Sequence, residues 1–151
     1  MSTSNRIDRA PEILDFYSKR LKDFGNTSQG VGWKDDYAQL VRFDQLLKII
    51  KSNNNFSIND LGCGSGRLYK YLRSKNCAPS AYRGYDILDE MLLSPEQSLM
   101  PDSKVILSKI ESVNDMSLSD YSVASGTFNV KGETTEQDWL TPYPFGNYLD
   151  E

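Results

Sequence analysis

No histidine occurs anywhere in these 151 residues. That absence removes the commonest general base and the usual Ser-His and Cys-His nucleophile pairs. Cysteine is nearly as scarce. Cys63 and Cys77 are the only two, they lack metal-ligand spacing, and two thiols without histidine cannot fill a structural zinc site. Reduced thiols in a cytoplasmic protein are the simplest expectation. No apolar run approaches the roughly 18 residues of a membrane helix, and Met1-Ser2-Thr3-Ser4-Asn5 leads into no apolar signal core. Basic residues are in the minority, 17 Lys and Arg against 21 Asp and Glu, for a net charge of −4. That balance argues against a broad nucleic-acid surface, though it leaves room for a local basic patch. Internal repeats and low-complexity tracts are also absent. With 38% hydrophobic and 11% aromatic residues, the chain can bury the core of one domain. Any chemistry it performs must come from a cofactor, from carboxylates, or from Tyr, Lys and Asn.

The most informative stretch is Asp60-Leu61-Gly62-Cys63-Gly64-Ser65-Gly66-Arg67-Leu68. It follows a short apolar run and opens a predicted helix. Glycines at alternate positions let the backbone take angles closed to other residues, and the missing Cβ lets a ligand approach the main chain. Free N–H groups at the start of the next helix attract electron-rich atoms. A dinucleotide-binding fingerprint, G-x-G-x-x-G, would place its third glycine at position 67, where Arg67 stands. The pattern here is D-x-G-x-G-x-G, which resembles the first motif of class I S-adenosylmethionine-dependent methyltransferases. The resemblance implies a Rossmann-like, doubly wound α/β sheet. It also implies S-adenosyl-L-methionine as cofactor, with Asp60, Gly62, Cys63, Gly64 and Gly66 around its amino-acid end and the Asp60 carboxylate close to its ammonium group. The cofactor carries a sulfonium and no pyrophosphate, which makes sense of the departure at Arg67.

The surrounding periodicity fits such a sheet. Pro11 to Phe24 reads as an amphipathic helix with Ile13, Leu14, Tyr17, Leu21 and Phe24 on one stripe, Pro11 in its first turn and Gly25 at its end. A glycine-bearing loop from Gly25 to Trp33 follows. A second helix is expected from Asp36 to Ile50, burying Leu40, Phe43, Leu47 and Ile50. Strands are expected at Phe56–Leu61, Ala81–Asp86, Lys104–Ile110 and Asp120–Gly126, with helices at Arg67–Ser74 and, briefly, Leu88–Leu93. Strands alternating with helices point to a parallel sheet. The expected organisation is an N-terminal helical cap over 1–55, a cofactor-binding core over 56–131 and a tail over 132–151.

Asp86 ends the second predicted strand, twenty residues beyond Gly66. A carboxylate there can accept both ribose hydroxyls of an adenosine group. The alternative is an N-cap aspartate that binds nothing. Ile87 and Leu88 would then lie beside the adenine ring. After the third strand the family usually has an acidic or polar residue that reads the adenine. Lys109 stands near that place, with Ser108 and Glu111 as substitutes, so the adenine contact has no assigned residue. The fourth strand runs into Ser125-Gly126-Thr127-Phe128-Asn129-Val130-Lys131, a segment expected to face the methyl donor. It is neither the N/D-P-P-Y/F of amino-methylating DNA enzymes nor the Pro-Cys of cytosine-C5 enzymes, and the methyl acceptor is unidentified. The wider pattern, including Phe16-Tyr17, Gly30-Val31-Gly32-Trp33 and Arg42-Phe43, resembles a group of uncharacterised bacterial class I methyltransferases. Tyr17 and Trp33 either close over the cofactor, since aromatic faces attract a sulfonium, or pack the added helices onto the sheet. Lys109 and Lys131 either orient an anionic substrate or are surface lysines. Glu133, Glu136 and Asp138 read as a polar face.

Family members usually have seven strands, whereas four are legible here before Gly132 to Glu151. The expectation is therefore a chain truncated after the fourth strand, its C-terminal strands missing and its exposed fourth strand open to self-association. Trp139, Tyr143, Phe145 and Tyr148 supply apolar surface that could cover it. Three functions compete at this point. The first is a methyltransferase, and the second is a non-catalytic S-adenosylmethionine-binding remnant of one. The third, a nicotinamide-dependent oxidoreductase, is disfavoured by Arg67 and by the lack of histidine or a Tyr-x-x-x-Lys pair.

Overall fold

A computed structural model of the chain describes residues 10–31, 34–52, 54–92, 105–110 and 113–125. Its centre is a four-stranded parallel sheet built from β1 (Ser57–Leu61), β2 (Ala81–Asp86), β3 (Val105–Lys109) and β4 (Tyr121–Ala124), in the order β3-β2-β1-β4. The helices are α1 (Ala10–Phe24), α2 (Asp36–Ile49), α3 (Arg67–Ser74) and the single turn α4 (Asp89–Leu92). The expected α/β sheet is present, with element ends shifted by a residue or so. A short 3-10 turn at Val113–Asp115 was not foreseen.

Pleating sends alternate side chains to opposite faces, and the register aligns them across strands. Ile58 pairs with Tyr82 and Tyr121, and Asp60 with Gly84 and Val123. These residues share the face covered by α3 and α2. There Ile58, Tyr82, Val123, Leu68, Tyr69, Leu72, Phe43 and Phe56 form the main core, with Ile58, Leu72 and Tyr82 fully buried. The opposite face carries Asn59, Leu61, Arg83 and Tyr85. Tyr85 and Ile110 pack there with Ile13 of α1, Leu61 and Met116. Helices thus lie against both faces, as in a doubly wound fold.

At the start of β1 and β4 the register is pinned by a reciprocal set of bonds. The Asp120 carboxylate accepts from the Ser57 N–H at 2.7 Å and hydroxyl at 2.8 Å, and the Asp120 N–H donates to Ser57 Oγ at 2.9 Å. The N–H of Gly25, at φ 62°, donates to Leu21 O at 2.8 Å and ends α1 as expected from its place in the sequence. The burial of α2 differs from expectation. Gln39 and Phe43 face inward while Leu40 is 41% exposed. Phe43 is in the core and Leu46, Leu47 and Ile50 pack against it, so of the expected row Leu40 alone lies at the edge. Phe24 is also exposed, although Arg20 stacks over its ring at 5.2 Å. Among the described residues no helix is long and apolar enough to cross a membrane.

Candidate functional site

The strand order reverses between β1 and β4, and in open parallel sheets ligands bind outside the carboxyl ends of strands at such a point. The glycine loop lies there. Gly62, Gly64 and Gly66 have φ of 70°, 54° and 78°, all left-handed. The alternate glycines are therefore demanded by backbone geometry, since a side chain in that region costs roughly 1–2 kcal/mol. The loop is fastened from below. The Gly62 and Cys63 N–H groups both donate to Tyr85 O, at 2.7 and 3.1 Å, and the Gly66 N–H donates to Cys63 O at 3.0 Å.

Asp86 provides the cross-tie. Its Oδ2 accepts from the Gly64 N–H at 2.8 Å and its Oδ1 from the Leu88 N–H at 3.1 Å. Burial raises its pKa, while the N–H groups of Leu88, Gly64 and Ile87 oppose the shift. In the ligand-free chain the carboxylate thus joins the glycine loop to the turn before α4. That structural role goes beyond the simple choice between ribose acceptor and N-cap. Ile87 is half-buried and Leu88 is buried.

Asp60 is buried on the helix-covered face of the sheet. Its carboxylate accepts a hydrogen bond from the Tyr82 hydroxyl. Burial pushes its pKa up to about 7; the Tyr82 bond acts the other way, and the charge of Asp86 adds to the rise. Cys63 also turns inward. Burial raises its thiol well above the ordinary value, so it is no ready nucleophile. The space it fills is made by Gly84 of β2, a residue that the sequence reading passed over. A Cβ on Gly84 would lie 2.7 Å from Cys63 Sγ, 2.9 Å from Cys63 Cβ and 2.4 Å from Leu107 Cδ2. Such a requirement leaves no signature in single-sequence spacing.

Two residues frame the loop. A Cβ on Gly64 would come within 3.8 Å of Met91 Sδ and 3.9 Å of Val31 Cγ1. Three polar atoms near the strand ends are buried with no protein partner: Ser65 Oγ in the loop, Arg67 Nη1 at the start of α3 and Ser125 Oγ after β4. Buried polar atoms usually have partners. Their concentration here, beside left-handed glycines, fits a ligand with polar groups at one end. Lys109 forms an ion pair with Asp89 at 3.1 Å. Trp33, Glu111, Lys131 and the segment beyond Ser125, including Glu133, Glu136, Asp138, Trp139, Tyr143, Phe145 and Tyr148, lie outside the described residues. Among the described residues no group of His, Cys, Asp or Glu is arranged to hold a metal ion.

No protein-family model matches the chain. It is 34% identical over 93 residues to the Mycobacterium tuberculosis protein named "Putative methyltransferase Rv1506c", an alignment covering 62% of this chain and 54% of that protein. The chain thus spans about half the length of this relative. Among solved structures, it resembles Haemonchus contortus phosphoethanolamine N-methyltransferase 1, solved with phosphoethanolamine and S-adenosylhomocysteine. The TM-score is 0.52 at 14% identity, over 73% of this chain and 22% of that one. A ribosomal protein L11 methylase from Lactobacillus delbrueckii aligns with TM-score 0.45 at 18% identity, over 68% of this chain and 47% of that one. In strand order and fold the chain is thus similar to a solved methyltransferase, and over 93 residues its sequence is similar to that of a protein named as a putative one.

Proposed function

We propose that the chain binds S-adenosyl-L-methionine and forms the cofactor-binding part of an enzyme that transfers its methyl group to an acceptor. The observation that carries this reading is the loop Gly62–Gly66. Its three left-handed glycines are tied by the Gly64 N–H to the carboxylate that ends β2. Gly62, Cys63, Gly64 and Gly66 would lie along the amino-acid end of the cofactor, Asp86 at the ribose, Ile87 beside the adenine and Ser125 toward the transferred group. Asp60 would act from beneath the loop, as a nearby carboxylate rather than a direct ligand.

When bound, the cofactor supplies an electrophilic methyl group on a sulfonium. The chain's own contribution is to hold and orient. The glycine loop presents backbone close to the ligand, and Asp86 keeps that loop joined to the wall formed by α4. Val31 and Met91 lie nearest to Gly64 and would narrow the approach to it. With no histidine in the chain, rate enhancement would come mainly from proximity and alignment. The orphaned Ser65 and Ser125 hydroxyls would supply hydrogen-bond donors at one end of this space.

Calorimetry with S-adenosylhomocysteine and with NAD tests the reading. We expect binding of the first and none of the second. Gly64→Val should weaken S-adenosylhomocysteine binding by roughly tenfold or more, because a β-branched residue is strained at that φ and fills the gap between Val31 and Met91. Undiminished affinity in that variant would show that the ligand does not approach the loop.

A further inference from the structure

Arg67 occupies the position where a dinucleotide-binding loop would carry its third glycine, and its side chain makes a specific long-range contact. Nη2 lies 2.7 Å from Asp36 Oδ1, joining the start of α3 to the start of α2. Asp36 also accepts a hydrogen bond from Ser28; the Arg67 bond first, and then the Ser28 bond, hold its carboxyl below the usual range. Ser28 is buried within the loop between α1 and α2.

That loop is folded on itself. Thr27 N donates to Gly25 O at 2.9 Å, Val31 N to Thr27 O at 3.2 Å, and Gly30 N to Thr27 Oγ1 at 3.2 Å. Arg20 Nε ties it to α1 through Gln29 O at 2.8 Å. The turn is tight enough that a Cβ on Gly30 would lie 1.9 Å from Gly25 O. Residues 25–31 therefore form a small compact body, and its last residue, Val31, is the one lying against Gly64.

We infer that Arg67 is a positioning residue. Through Asp36 and Ser28 it holds the 25–31 loop against Gly64, and so sets one wall of the cofactor pocket without touching the ligand with Nη2. The inference rests on the cofactor reading above. The geometry favours arginine, whose planar guanidinium fixes direction as well as charge. Asp36 is 69% exposed, so solvent screens the pair and the effect is modest.

The test is a double-mutant cycle on the full chain with two readouts. Calorimetry gives the affinity for S-adenosylhomocysteine, and hydrogen exchange gives the protection of the Gly30 and Val31 amides. In low salt, Arg67→Ala and Asp36→Ala should each weaken binding roughly two- to fivefold. The double variant should be no weaker than either single one, and the differences should shrink near 1 M salt. Exchange at Gly30 and Val31 should speed up in both single variants, and Arg67→Lys should fall between wild type and Arg67→Ala. Additive losses in the double variant would mean that Arg67 acts on the ligand independently of Asp36, and would overturn the inference. So would unchanged exchange in Arg67→Ala. If the wild-type chain does not bind S-adenosylhomocysteine, the cofactor reading falls. The positioning role is then decided by exchange in the ligand-free protein, with faster exchange in both variants supporting it and unchanged exchange overturning it.

Discussion

The two faces of the sheet are made by the same strands and are held by different physics. On the face under α2 and α3, contact is almost wholly apolar: Ile58, Tyr82 and Val123 meet Leu68, Leu72 and Phe43. The exceptions are Asp60 and Asp86, which lie in the same row of positions; Asp60 accepts from the Tyr82 hydroxyl within the core and Asp86 from the Gly64 N–H of the glycine loop. On the other face, the middle of the sheet is bonded to the segment that precedes β4. Asn59 Nδ2 donates to Ser117 O at 2.7 Å, Ser119 Oγ donates to Asn59 Oδ1 at 2.7 Å, and Arg83 Nη1 donates to Ser119 Oγ at 3.0 Å. The Ser117 N–H reaches the Tyr85 hydroxyl at 3.2 Å. The first face gains stability by removing apolar surface from water. The second is fixed by directional bonds whose groups become costly if left unpaired. Both carboxylates of the candidate site lie on the first face, where burial perturbs them.

The largest expected effect is on the apolar face. Leu72→Ala removes a fully buried side chain from between α3 and the sheet and should cost about 2–5 kcal/mol in denaturant unfolding. A loss below about 1 kcal/mol would mean that α3 is not packed as described. Next comes the polar face. Asn59→Ala leaves the Ser117 carbonyl and Ser119 hydroxyl without their partner and should cost about 1–3 kcal/mol. If Asn59→Leu proved as stable as wild type, the comparison between faces would fail.

The third effect is a slope with pH. Asp60 has its folded pKa raised from the model-compound value of 3.8 to about 7, so between those values the folded chain binds more protons than the unfolded one. Its contribution is fully present below the unfolded value. It is lost as pH rises toward 7, by at most about 1.4 kcal/mol per pH unit. Asp60→Asn, which stays neutral, should flatten this part of the profile in thermal or denaturant unfolding from pH 4 to 8. An identical slope in wild type and variant would remove Asp60 as its source.

The glycine loop, the strands on either side of it and the acidic ends of those strands were legible in the residues alone. A left-handed backbone leaves a mark in composition: Gly62, Gly64 and Gly66 could hardly have been other residues at those φ values. Once Phe56–Leu61 is read as a strand, its period of two puts Ile58 and Asp60 on one face. It did not show which partners they meet there. Tertiary structure alone decided that Asp60 turns to Tyr82, 22 residues away, and that Arg67 reaches Asp36, 31 residues away. It also decided that Gly84 leaves the room that Cys63 fills and that Leu40 of α2 lies at the edge of the core. Local patterns record the conformation a residue must adopt and the side it must face. Contacts between distant segments depend on how whole elements rotate and pack, and several rotations satisfy the same pattern until the other elements are in place.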